Sequence, residues 1–180
     1  MLDAVAALAK GLMYGALLSA SGVPLAAALL RPSEALRDYA LRVMRIAAVA
    51  AIALNLLIAA LLFVRLGGGF DQPTFNAVFS SGSGAALLLQ LTGAALLLTP
   101  AEDGVSGHAW RIAAALAMTA SVAFNGHAAA ISLPAGLLTM AHVTAASWWV
   151  GSLWLLRRAC VSEAGDDLVR LLYGDRKSVV

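Results

Sequence analysis

Two of the three histidines lie close together in apolar sequence near the end of the chain. His127 and His142 are 15 residues apart, on either side of a break at Pro134. An imidazole is costly in lipid and normally faces a partner or a water-filled cavity. Two imidazoles on neighbouring antiparallel helices are typical of a site that binds a metal ion or a haem.

Two methionines are candidates for a further metal ligand. Imidazole nitrogen binds both copper oxidation states, and the methionine thioether suits Cu(I). We expect Met13 to lie near the depth of His142, and Met140 near the depth of His127. Met140 is two residues from His142, so it points about 200° away around the helix. Methionines in helical cores more commonly fill space.

The composition indicates a membrane protein. Of 180 residues, 61% are hydrophobic and 12% are charged, and the mean hydropathy is +0.85. Five long stretches are nearly free of charge, and each is long enough to cross a hydrocarbon layer of ~30 Å. The sequence therefore predicts an all-α, polytopic bundle of five transmembrane helices.

The breaks between the apolar stretches indicate where each helix begins and ends. The helices are expected at about residues 4–30, 46–64, 85–99, 108–130 and 135–156. Residues 1–157 form the predicted transmembrane domain, and residues 158–180 form a cytoplasmic juxtamembrane tail.

Local signals refine these elements. Ser33 is expected to cap a short interfacial helix before the second span. Asp71 is expected to open a short helical turn that ends at Phe79. Gly11, Gly15 and Ser19 recur at four-residue spacing, which predicts that another helix approaches closely there.

The chain lacks the signatures of several other classes. No Ser/His/Asp constellation, carboxylate pair or phosphate-binding glycine loop occurs, so we do not expect an enzyme. The basic residues cluster at the ends of the predicted helices, which is typical of topology signals and not of nucleic-acid binding. The single cysteine, Cys160, excludes an internal disulfide.

The segments around both histidines resemble the bacterial copper resistance D family. Asn125-Gly126-His127-Ala128-Ala129 is similar to the Gly-His-Ala end of a helix in that family. His142, followed by Trp148-Trp149-Val150-Gly151-Ser152, is similar to its next helix, where a histidine precedes a Trp-x-Gly-Gly motif. Gly151-Ser152 replaces the two glycines here. Family members usually have around eight helices, so this chain resembles their N-terminal part.

This resemblance implies a multi-pass inner-membrane protein that binds copper near the periplasmic side and takes part in copper transport or homeostasis. His127 and His142 would be ligands, with Met13 or Met140 as a thioether ligand. Trp149, two turns after His142, would wall the site. The implied partners are membrane lipid and a periplasmic copper carrier protein. A homo-oligomer is compatible with the sequence.

Two alternatives stay open from the residues alone. The same histidines are what a b-type haem electron carrier needs as axial ligands. Haem requires roomy, glycine-lined helix faces, and only Gly126 lies near the pair. A structural membrane subunit, whose histidines only form hydrogen bonds, would bind no metal.

The distribution of basic residues predicts the orientation in the membrane. Ten of the twelve Lys and Arg residues fall on one side of the predicted bundle. The positive-inside rule then places the N-terminus outside and the C-terminus in the cytoplasm. Reporter fusions after residues 70 and 175 should report an outside and a cytoplasmic location, respectively. An outside signal at residue 175 would contradict this orientation.

Overall fold

The computed structural model describes residues 2–66, 71–100, 104–124 and 132–161, where all regular structure is helical. The α-helices are α1 (Leu2–Leu30), α2 (Glu34–Arg65), α3 (Gln72–Phe79), α4 (Gly82–Leu98), α5 (Val105–Ala120) and α6 (Leu133–Val161), and a 3-10 turn (Ser121–Phe124) continues α5. The predicted all-α class is confirmed. The tail from residue 162 onwards lies outside the described residues.

Length and hydropathy identify the helices that can span a membrane. Among the described residues, Asp3–Leu30 of α1 and Glu34–Arg65 of α2 are long and apolar enough to do so. The pair α3 and α4 meets the same criterion together, although it is bent by 77°. Helix α4 has 17 residues, which gives a length of about 25 Å against a hydrocarbon layer of ~30 Å. Five spans therefore stay a prediction.

Helix α2 begins earlier than the sequence suggests. Residues 34–45 are not a separate interfacial helix but the first turns of one helix of 32 residues. Leu36, Ala40 and Met44 are buried on one face, and this four-residue spacing continues the apolar stripe of the later turns. Ser33 stands at the N-cap position, but its side chain makes no capping hydrogen bond.

Helix α3 confirms the turn predicted after residue 70. Asp71 is its N-cap, and an oxygen of its carboxylate accepts a hydrogen bond from the Thr74 N–H at 2.9 Å. Pro73 lies in the first turn, where its missing N–H leaves no helical hydrogen bond unmade. Hydrogen bonding by Thr74 lowers the pKa of Asp71, because it stabilises the ionised carboxylate.

The long helices alternate in direction along the chain. Asp3 forms an ion pair with Arg65, so α1 starts beside the end of α2. Arg65 and Ser83 line the same cavity, which places the start of α4 there too. Gly82 lies against the backbone of Phe124, just after α5. We call this the N-terminal end of the bundle.

Helices α1 and α6 run parallel and touch through their backbones. A Cβ atom on Gly22 would overlap the Ser147 carbonyl, and one on Gly151 would overlap the backbone of Gly22. The buried hydroxyls of Ser21 and Ser147 form a hydrogen bond of 3.1 Å across this contact. Small residues let membrane helices approach this closely, which increases their van der Waals contact.

The close approach predicted at Gly11, Gly15 and Ser19 is wrong at the two glycines. Both glycines are exposed, and a Cβ atom at either position would meet nothing within 4 Å. They lie on a face of α1 that no described helix covers. The close contact falls at Gly22 instead, one turn after Ser19, whose hydroxyl accepts a hydrogen bond from the Trp154 indole at 3.2 Å.

Gly22→Ala should separate α1 from α6, because the added methyl group has no space beside the Ser147 carbonyl. We expect the free energy of unfolding to fall by about 3 kcal/mol, the upper end of typical overpacking costs. The matched control is Gly15→Ala, which should leave stability unchanged or raise it by up to about 1 kcal/mol. Reversible denaturation in detergent measures both values. Equal stability of the two variants would contradict the backbone contact.

Candidate functional site

Of the two predicted histidine ligands, His127 lies between α5 and α6 in the sequence, and His142 lies within α6. His142 lies ten residues into α6 and is exposed. His127 and the rest of residues 125–131 lie outside the described residues. The sequence predicts α-helix from residue 108 to residue 130, and residues 125–130 of that range lie outside the described residues. The prediction is wrong at residues 121–124, which form a 3-10 turn because the α-helix already ends at Ala120.

The seam between α5 and α6 is polar and tightly packed. The Thr144 hydroxyl donates to the Thr119 hydroxyl at 3.0 Å, and a Cβ atom on Gly136 would lie 3.0 Å from the Ala123 carbonyl oxygen. His142 is two residues before Thr144, which places its side chain about 200° away around the helix. The imidazole therefore points away from the α5 seam. Trp149 shares its exposed face, two turns further on.

The two candidate methionines lie at similar depth on different helices. Met140 is half-buried on α6, whereas Met13 is buried on α1. Ser21 pairs with Ser147, so Met13 lies level with Thr139, which precedes Met140. This level is about one turn from His142.

Met13 lines an open cavity of about 320 Å³ between the first four helices. The buried amides of Asn55 and Gln90 face the same cavity, and so do the exposed cations Lys10 and Arg65. Within the described residues, neither Met140 nor His142 lines it. The structure therefore does not bring Met13 into one cavity with the α6 candidates.

The buried amides of this cavity are held by specific hydrogen bonds. The Gln90 amide N–H on α4 donates to the Ser121 hydroxyl at 2.9 Å, and that hydroxyl donates to the Met118 carbonyl at 2.6 Å. The Asn55 amide donates to the Ala51 carbonyl within α2 at 2.8 Å. Gln90 therefore ties α4 to the turn after α5.

Metal-binding groups are sparse where the structure can be described. There, no three or more His, Cys, Asp or Glu side chains are grouped so that they could hold a metal ion. The methionine thioethers are outside that set of side chains, and His127 is outside the described residues. Among the described residues at the N-terminal end of the bundle, His142 has an exposed imidazole.

The composition and the described helices define an all-helical membrane protein. A family model described as the N-terminal domain of copper resistance protein D-like proteins matches residues 1–137. The chain therefore belongs to the copper resistance protein D-like family. The match includes Met13 and His127 and ends before Met140 and His142. No curated protein and no solved structure matches the chain.

The sequence did not predict that Asn55 and Gln90 face the same cavity. Asn55 and Gln90 are isolated polar residues in apolar helices, and that isolation was the available signal. Their convergence depends on which faces of α2 and α4 turn towards α1. Helical periodicity alone cannot give this, because α4 is apolar all round.

Replacing the buried amide of Gln90 should weaken the contact between α4 and the end of α5. Gln90→Leu keeps the volume but removes the hydrogen bond to Ser121. We expect the free energy of unfolding in detergent to fall by about 1 kcal/mol, a typical value for such hydrogen bonds in membrane proteins. The control Thr92→Val lies on an exposed face of α4 and should have little effect. Unchanged stability of Gln90→Leu would show that the bond contributes nothing.

Proposed function

We propose that this protein binds copper near the periplasmic face of the inner membrane and takes part in copper transport or homeostasis. The match of residues 1–137 to the copper resistance protein D-like family carries this proposal. Copper is the cargo in this account, and no chemical reaction is assigned to the chain. The proposed orientation is multi-pass, with the N-terminal end of the bundle facing the periplasm.

His127 and His142 are the proposed ligands. The contact of Ala123 with Gly136 brings the two flanking segments together. His142 lies six residues beyond Gly136, about 9 Å along α6. A shared site therefore requires the chain after Phe124 to return along the exposed face of α6. The exposure of His142 leaves its ring nitrogens accessible to such a partner.

Neither of the two proposed thioether ligands points to the same side as His142. Met140 lies on the same helix as His142, but its side chain is directed about 200° away, towards the side of α6 that contacts α5. Met13 shares its cavity with Lys10, whose positive charge opposes the entry of a copper ion, and with Arg65, which is paired with Asp3. We therefore assign Met13 a secondary role, as a ligand during inward transfer.

The proposed cargo path involves a partner on the periplasmic side. A copper carrier protein would deliver its ion at the start of α6, from which His142 lies ten residues along the helix. Neutral imidazole and thioether side chains bind and release Cu(I) without gaining or losing a proton. Assembly into a homo-oligomer is compatible with this scheme.

Removing either proposed ligand should abolish most copper binding. His127→Ala and His142→Ala each leave a single imidazole, which is a poor site. Equilibrium competition of the purified protein with a Cu(I)-specific chromogenic chelator measures the affinity. We expect each variant to lose at least about tenfold, comparable to the loss of a group that supports a metal site.

The matched control for the copper experiment is His108→Ala. His108 lies at the opposite end of the bundle, where its Nδ1 is 2.6 Å from the Gly104 carbonyl oxygen. This variant should bind copper like the parent. Parent-like binding by both His127→Ala and His142→Ala would refute the site. A Soret band in the purified protein would favour the haem alternative, and neither metal nor haem would favour a structural subunit.

A further inference from the structure

Two adjoining cavities open at the end of the bundle opposite to the proposed copper site. Their volumes are about 700 Å³ and 30 Å³, and both are lined by Ala27, Arg37 and His108. They lie where α1 turns into α2 and where α5 begins. This region is independent of the proposed copper function.

Basic side chains from three parts of the chain converge on these cavities. Arg31 follows α1, Arg37 lies in the first turns of α2, and Arg111 lies on α5. Several guanidinium groups around one cleft create a positive potential that favours an anion. Arginine also presents paired donors that match phosphate oxygens.

The smaller cavity is apolar away from the arginines. Its walls include Val23, Pro24, Leu41 and Met44. A free inorganic anion would gain nothing from these residues. A ligand that combines an anionic head with hydrocarbon would use both the charged and the apolar parts.

The backbone at Arg31 is held in an unfavourable conformation. Its φ angle is +45°, in the left-handed region that normally favours glycine after a helix. The Arg31 N–H still closes the last turn of α1 by donating to the Ala27 carbonyl at 3.1 Å. The chain thus has an arginine at a position where glycine would fit the backbone better. Strain of this kind is commonly retained at functional sites.

We propose that this end of the bundle binds the phosphate headgroup of an anionic phospholipid. Arg31 and Arg37 hold the phosphate in the larger cavity, and the adjoining smaller cavity, of about 30 Å³, admits no more than the first carbons of the ligand's hydrocarbon. Anionic lipids are concentrated in the cytoplasmic leaflet, and basic pockets between membrane helices bind their headgroups. The proposed orientation places this end of the bundle in that leaflet.

Native mass spectrometry of the purified full-length chain tests the proposal. The probes are phosphatidylglycerol and phosphatidylcholine with the same acyl chains. We expect one phosphatidylglycerol molecule to be retained in preference to phosphatidylcholine. Arg31→Gly and Arg37→Gln should each weaken that preference by about fivefold, the effect of one basic residue near an anionic lipid surface. Added salt should weaken the preference for phosphatidylglycerol in the parent protein, but not in the variants that lack these arginines.

Matched variants separate specific binding from general attraction and from misfolding. Arg42→Gln removes an exposed arginine of α2 that lines neither cavity and should leave the lipid preference unchanged. Arg31→Gly should also melt at the same temperature as the parent or higher without lipid, because glycine suits the left-handed conformation. Equal losses for Arg37→Gln and Arg42→Gln would overturn the site. Displacement of the lipid by millimolar inorganic phosphate would overturn the lipid as its ligand.

Discussion

The backbone contact between α1 and α6 is the constraint on which the rest of the structure depends. In lipid, helices gain no hydrophobic free energy by associating, so close packing and hydrogen bonds must hold them together. Gly22 and Gly151 provide the close packing, and Ser21 with Ser147 provides a hydrogen bond. Helix α1 also packs against α2 and α5, so it is the central helix of the described bundle. Its buried residues in the main core cluster are Met13, Leu17, Ala20, Val23 and Ala26.

This packing gives the two ends of the bundle different chemistry. Because α1 and α6 are parallel, Met13, Met140 and His142 lie at the N-terminal end. The arginine-lined cavities lie at the other end, where α1 meets α2 and α5 begins. Soft, neutral ligands suit Cu(I), whereas guanidinium groups suit phosphate. The account therefore assigns copper and anionic lipid to opposite ends of the bundle.

Patterns that depend on local chemistry were predictable from the sequence, and patterns that depend on helix orientation were not. The Asp71 cap needs only its neighbours in the chain, and it was correct. The sequence did not predict that α2 begins at Glu34, because the arginines between residues 37 and 45 made this segment look like a polar loop. Leu36, Ala40 and Met44 are nevertheless buried on one face of the helix. Four-residue spacing suggested Gly11, Gly15 and Ser19 as contact residues, but α6 contacts only Ser19 of the three and comes closest at Gly22. The direction of His142 likewise followed only from the contact of Thr144 with Thr119.

The central claim is that copper is bound by two imidazoles at the N-terminal end of the bundle. X-ray absorption spectroscopy at the copper edge of the purified, copper-loaded protein tests it most directly, because it reports the ligand atoms themselves. The account predicts two nitrogen neighbours with the multiple scattering of imidazole rings. A coordination shell of oxygen atoms without imidazole scattering would contradict it.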